Sequence, residues 1–290
     1  MNFVLSVNDN STYFSFLKKA TELYTSLGHK VYIAYVTKND YHNWDNLNAE
    51  LVVVYPEVEG YESGIQAKLA RSFLASQLDE DIPTTLLDVD QFLINFKWLE
   101  SCIKNNSLDT CDLLAFGANG YKTPGGFYNP NIDGKFAMYF TTAKPEGFRK
   151  LFGIKKGVEF SALLSKFSHI NNPRDGYEST KNTFAHFSDE SLFAWLIREN
   201  NIKCTHIDIP DFYFSKQQRR IDRTIEIMLS FRTPGFDKNF WFQSKLTPEQ
   251  KYMIMNNYFI DVFPARPYEK YSDIIDDIVD TIKEKESASS

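Results

Sequence analysis

Apolar residues in this chain come in short runs broken by polar or turn-forming residues, and the runs alternate with longer amphipathic stretches. Phe3 to Val7 is a β-rich run, after which Asn8-Asp9-Asn10-Ser11 can turn and cap a helix from about Thr12 to Leu27, ended by Gly28. Val31 to Val36 and Leu51 to Tyr55 read as strands, Gly64 to Leu78 as the next helix, and Thr84 to Leu87 as the strand after it. Leu93 to Lys104 reads as a helix, Asp112 to Phe116 as a strand, and Gly117 to Gly134 as a Gly/Pro/Asn-rich loop suited to an acceptor site or lid. Lys135 to Thr142 resumes strand character, Ser188 to Glu199 has the cap and spacing of a helix, and a strand follows near Lys203 to Ile207. Strand runs apolar on both faces, separated by helices, are what a parallel sheet covered by helices requires. The expected fold is α/β and Rossmann-like, with a mostly parallel central sheet flanked by helices.

From Asp211 onward regularity fades. The tail mixes Arg219, Arg220 and Arg223 with the aromatic runs Phe240-Trp241-Phe242 and Tyr258-Phe259, and ends in an acidic helix candidate from Tyr271 to Lys283. Residues 211–290 are read as an extension packed on a catalytic domain formed by residues 1–210.

A net charge of -6 argues against broad electrostatic binding to nucleic acid. Aromatic residues make up 16% of the chain, which fits either a ring-rich core or a carbohydrate groove, with core packing the first reading. Cys102, Cys111 and Cys204 lack the close paired spacing of a zinc site or a disulfide framework, so a reducing compartment is expected. No apolar stretch near Met1 is long enough for a signal peptide or membrane anchor, and the chain reads as cytoplasmic with no membrane span.

The candidate chemistry starts at Leu86-Leu87-Asp88-Val89-Asp90. On an extended strand end Asp88 and Asp90 point the same way, and two hard oxygen ligands offered together suit Mg²⁺ or Mn²⁺, ions that keep positions open for substrate phosphates. A nucleotide diphosphate is thus the leading substrate idea. Taken alone, an Asp-x-Asp is more often an acidic turn after a strand, so its context matters. That context is a second polar strand end, Val7-Asn8-Asp9, because ligands in such sheets sit beyond the carboxyl ends of the strands. On the helix before the motif, Lys68 and Arg71 are three apart and share a face, in reach of phosphates or nucleoside, with Lys68 preferred; a solvated charged face is the plain alternative. Asp189 and Glu190 fall in the first turn of a helix with Ser188 as its cap, where carboxylates complement the helix dipole in any case. The functional reading is that one of them, Asp189 ahead of Glu190, accepts the proton of an incoming hydroxyl. His186 and His206 receive no role. P-loop, dinucleotide-binding and Gly-x-Ser-x-Gly signatures do not occur.

The order of these parts resembles that of the GT-A-fold glycosyltransferases over roughly residues 1–210, with the Asp-x-Asp in its strand context as the most specific piece. The resemblance implies a GT-A-like sheet and transfer of a sugar from a nucleotide-diphosphate-sugar donor to a glycan or other acceptor hydroxyl. It further implies that Asp90 ligates Mn²⁺ or Mg²⁺, that Asp88 contacts the ribose or the metal shell, and that Val7 and Asn8 line the nucleoside pocket. Lys68, Arg71 and Val89 would stand near the donor. Asp189-Glu190 matches the family's acidic pair on the acceptor-side helix, though many inverting members have Glu before Asp; inversion is preferred over retention. Two other classes stay open: a sugar nucleotidyltransferase, which typically shows a Gly-rich basic loop where this chain has Asn8-Asp9-Asn10-Ser11, and a non-catalytic carbohydrate- or protein-binding module.

Overall fold

The computed structural model describes residues 1–39, 47–79, 81–117, 140–167, 189–207 and 242–288. The strands among them are β1 (Asn2–Asn8), β2 (Lys30–Thr37), β3 (Leu51–Pro56), β4 (Thr84–Leu86), β5 (Phe92–Leu93), β6 (Leu113–Phe116), β7 (Phe140–Ala143), β8 (Cys204–Ile207) and β9 (Asp261–Val262). The helices are α1 (Ser11–Phe14), α2 (Leu17–Ser26), α3 (Ser63–Gln77), α4 (Phe96–Asn105), α5 (Pro145–Phe152), α6 (Phe160–Phe167), α7 (Asp189–Glu199), α8 (Pro248–Met255) and α9 (Tyr268–Ala288).

Seven strands form one sheet in the order β3-β2-β1-β4-β7-β6-β8, and β5 and β9 pair separately. All neighbours in the large sheet are parallel except at β7, which runs against β4 and β6. The mostly parallel α/β sheet expected from the run pattern is therefore present, with one reversed strand. Its registers place Phe3 beside Val31 and Val4 beside Leu86. At the reversal, the Thr85 and Thr142 hydroxyls meet at 2.8 Å, so a buried polar pair satisfies itself where the strand direction changes.

Alternation along each strand explains why both faces are covered. Phe3, Leu5 and Val7 of β1, with Val31, Ile33 and Tyr35 of β2, enter one core with α2, α4 and the C-terminal residues Ile254, Val262, Ile274, Ile278 and Ile282. Val4, Tyr32, Ala34 and Val36 enter the other, with α3, α5, α6 and α7. Stripes of period two buried on both sides give three layers. The largest fully buried side chains are rings, among them Tyr24, Tyr35, Phe3, Phe16 and Phe92, which accounts for much of the aromatic content as core.

Local details depart from the run pattern for identifiable reasons. The helix expected from Thr12 to Leu27 is broken into α1 and α2, and Phe16 at the break packs edge-on against Phe92 and Tyr268. Asn10 does cap α1, its side chain accepting from the Thr12 amide, and Gly28 follows α2 at φ 79°. The helix expected from Leu93 begins only at Phe96, capped by Asn95, because Phe92 and Leu93 pair with Val262 and Asp261, a partner invisible locally. Strand β4 stops at Leu86, one residue before the expected end. Gly147 of α5 permits a close approach, since a Cβ there would lie 2.2 Å from the Asp112 carbonyl oxygen. The acidic tail helix is longer than expected and kinked at Tyr271. The expected loop 118–134, strand residues 135–139, His186, Arg219, Arg220, Arg223, Phe240 and Trp241 lie outside the described residues. Among the described residues no helix is long and apolar enough to cross a membrane, and Cys102, Cys111 and Cys204 are free thiols.

Candidate functional site

Strand order reverses at β1, whose neighbours β2 and β4 leave on opposite sides, so the crevice beyond the carboxyl ends of β1 and β4 is the place where such a sheet binds ligands. Asn8 ends β1, and Asp9, Asp88 and Asp90 follow the carboxyl ends of these strands. Helix α3 reaches the same end with its N-terminus: the Asn8 side-chain Nδ2 donates to Ser63 Oγ at 3.0 Å.

Asp88 and Asp90 do not share one environment. Asp88 is 41% exposed and accepts a hydrogen bond on Oδ1 from Nη1 of Arg71, a guanidinium only 4% exposed on α3. Asp90 is 3% exposed and is gripped by Arg266, whose Nε donates to Oδ2 at 2.7 Å while Nη2 approaches the same oxygen. The expectation that Asp90 faces the open crevice beside Asp88 is thus corrected. Beyond Leu86 the chain leaves the extended conformation for a turn, the Gln91 amide donating to the Asp88 carbonyl at 3.0 Å, so strand alternation no longer sets the two directions. Burial pushes the Asp90 carboxyl above its usual range, the Asp88 charge adds to this, and Arg266 opposes both.

Arg266 is itself fixed from a second side, with Nη1 donating to Tyr13 Oη at 2.7 Å and the guanidinium 4.5 Å from the Tyr13 ring centroid. It lies 176 residues from Asp90 in sequence. No local signal announces that contact, and only the fold brings the tail to the motif.

The helix pair also differs from its expected roles. Lys68 is exposed, whereas Arg71 is buried in the wall of the site. Helix α3 buries most of its circumference through Ala67, Ala70, Ser72, Ala75 and Ser76, small residues that let it lie close to the sheet and carry Arg71 inward. Val7 and Val89 are core residues beneath the crevice, not open lining. Asp189 and Glu190 open α7, and their side chains lie outside the described residues.

Asp9, beside Asn8, gathers donors at the carboxyl ends of β1 and β2. Its carboxylate accepts from Tyr35 Oη, from Thr37 Oγ1 at 2.9 Å and from the Lys38 amide at 3.3 Å. Burial, helped by the bond to Asp9, pushes the Tyr35 phenol up to about 12. An open cleft of about 570 Å³ extends from there past Thr37, Lys38, Pro56, Glu57 and Tyr61.

The residues present fit a divalent cation of the Mg²⁺ or Mn²⁺ kind. Such an ion asks for one or two carboxylates and leaves its other positions to water and substrate phosphate; Asp88 offers one that is open to solvent, and Asp90, two residues on, a second that is buried against Arg266. No cluster of three or more His, Cys, Asp or Glu suited to a metal occurs among the described residues, so an all-protein cage is not built from them.

No protein-family model matches the chain, and no curated protein matches it. Among solved structures it is similar to an active-site mutant of LgtC, with a TM-score of 0.46 and 11% identity over 99% of this chain and 96% of that one. It is similar to the galactosyltransferase LgtC in complex with donor and acceptor sugar analogues, at 0.44 and 11% over the same shares. The apo glycosyltransferase GlyE of Streptococcus pneumoniae follows at 0.46 and 11%, covering 99% of this chain and 63% of that one. Scores this low leave the case for the site to the residues themselves.

Proposed function

We propose that this protein is a glycosyltransferase of GT-A type, moving a sugar from a nucleotide-diphosphate-sugar donor to an acceptor hydroxyl with a divalent cation. The observation that carries the reading is the placement of Asp88 and Asp90, each held by an arginine, just past the carboxyl end of β4 at the reversal of strand order. Carboxylates that can take a cation, with fixed guanidinium charge behind them, suit a metal-bound diphosphate at a crevice better than a neutral ligand.

Asp88 and Asp90 would hold the cation. When bound, the cation stabilises charge on the leaving diphosphate. Arg71 and Arg266 supply fixed positive charge on either side of the pair, and fixed charge in a partly dry site stabilises a leaving group without reorganising at the moment of reaction. Asn8, Asp9 and the cleft beyond Thr37 are assigned to the nucleoside. Asp189 is assigned the proton of the acceptor hydroxyl, with a single displacement and inversion, and Glu190 the orientation of the acceptor. The free thiols suit a reducing cytoplasm.

The test is release of nucleoside diphosphate from a panel of nucleotide-sugars, with and without Mn²⁺ and an acceptor panel. Turnover of at least one donor, stopped by chelation, is expected. Asp189→Asn should slow transfer by about 10²–10⁴-fold with donor affinity unchanged. No turnover across the panel, or turnover indifferent to Asp88→Asn and Asp90→Asn, would refute the reading.

A further inference from the structure

Beneath the Asp88-Val89-Asp90 turn lies a buried polar bridge that the chemistry above does not use. Gln91 and Asp261 are both fully buried, and Gln91 Nε2 donates to Asp261 Oδ2 at 2.7 Å across 170 residues of sequence. At its other end the Gln91 side chain faces the turn, with Oε1 accepting from the Asp88 amide at 3.4 Å. The Gln91 main chain is held as well: its amide donates to the Asp88 carbonyl at 3.0 Å, and its carbonyl accepts from Tyr24 Oη at 2.6 Å. Tyr24 Oη in turn accepts from the Leu93 amide at 3.3 Å. A buried carboxylate is expensive unless donors reach it, and a buried amide side chain with both ends engaged has one orientation available.

The same stretch of chain that supplies Asp261 pairs as β9 with β5, offers the Ile260 carbonyl, which accepts from the Ile94 amide at 2.7 Å, and goes on to Arg266 on Asp90. The tail therefore grips the turn twice, once at its root and once at its tip.

We infer that Gln91, anchored by Asp261, is a positioning residue that sets the place of Asp88 in the donor site. The inference rests on the reading of Asp88 as part of that site. Gln91 touches neither metal nor sugar; it acts through the Asp88 main chain, as outer-sphere partners of a ligand do.

The experiment is calorimetric titration of the full chain with Mn²⁺ and UDP, GDP, CDP or ADP, whichever the wild type binds, with thermal melts of every variant. Gln91→Met keeps the volume and removes both hydrogen bonds; it should melt cooperatively yet bind about 10-fold more weakly. Asp261→Asn still offers an oxygen to the Gln91 amide and should bind within about twofold of wild type. Because the effect passes through Asp88, adding Gln91→Met to Asp88→Asn should cost nothing further, whereas a merely structural role would lower the melting temperature and leave the affinity of the folded protein alone. Wild-type affinity in Gln91→Met, or losses that multiply in the double variant, would overturn the inference while Asp88→Asn still binds weakly. Wild-type affinity in Asp88→Asn would instead bring down the donor-site reading, and this inference with it. Should Gln91→Met fail to fold, Tyr24→Phe loosens the same residue from its carbonyl side, and wild-type affinity there would overturn the inference equally.

Discussion

The two ends of the central sheet carry the same kinds of charged residue and treat them in opposite ways. At the amino ends of the strands, Lys144 pairs with Asp81 and Asp109, and Lys150 with Asp112 and Glu146, mostly among exposed side chains. Water and salt screen such pairs, so they contribute little and say little. At the carboxyl ends, Asp90 and Arg71 are taken out of water, Asp90 matched with Arg266 from the far end of the chain and Arg71 with Asp88 just past β4. Burying charge costs more than a well-packed apolar substitute would, so stability alone does not account for the charge kept there. Counting acids and bases along the sequence cannot separate the two ends; burial can.

That contrast can be broken most sharply at Arg266. Arg266→Met leaves the Asp90 carboxylate buried without its guanidinium and should destabilise the fold by about 3 kcal/mol in denaturant unfolding, with Asp90→Asn in the same chain recovering much of the loss. A smaller effect tests the amino end. His29, just before β2, stacks on Phe96 with centroids 5.2 Å apart, and burial lowers its pKa to about 4. The unfolded chain then binds more protons than the folded one between that value and its ordinary one near 6.5. Stability from this group is full above the upper limit and is lost as pH falls toward the lower. As pH falls across that window, wild type should therefore lose about 2 kcal/mol of unfolding free energy relative to His29→Phe, after allowing for partial exposure. Next, Asp88→Asn leaves the buried Arg71 guanidinium facing an amide oxygen in place of a carboxylate, so it should lower the melting temperature less than Arg266→Met does, and it should weaken metal-dependent nucleotide binding by more than about tenfold. Smallest of all, Lys144→Ala and Lys150→Ala should change neither melting nor binding, and a clear loss from either would erase the distinction between the ends.

Much of the sheet was legible because a strand buried on both faces must be apolar on both, as Val31 to Val36 is, and because Asn10 and Gly28 carry their own turn chemistry. The strand ends at which the candidate site is proposed were legible for the same reason, since Asn8 and Asp88 follow apolar runs. Its interior was not. Arg71 and Lys68 look alike in sequence, and only the close seating of α3 buries one and leaves the other in water. Arg266, Asp261 and Phe92 acquire their meaning from pairings across well over a hundred residues, which no local period records.

The central claim is that the carboxyl end of the sheet is a metal-assisted diphosphate site built on Asp88. Titration of the wild-type chain with UDP, GDP, CDP and ADP, each with Mn²⁺ and again with a chelator, tests it most directly. At least one nucleotide should bind with Mn²⁺, lose that binding under chelation, and bind Asp88→Asn more than about tenfold more weakly. Absence of binding for all four, or binding that neither the chelator nor Asp88→Asn disturbs, would contradict the account.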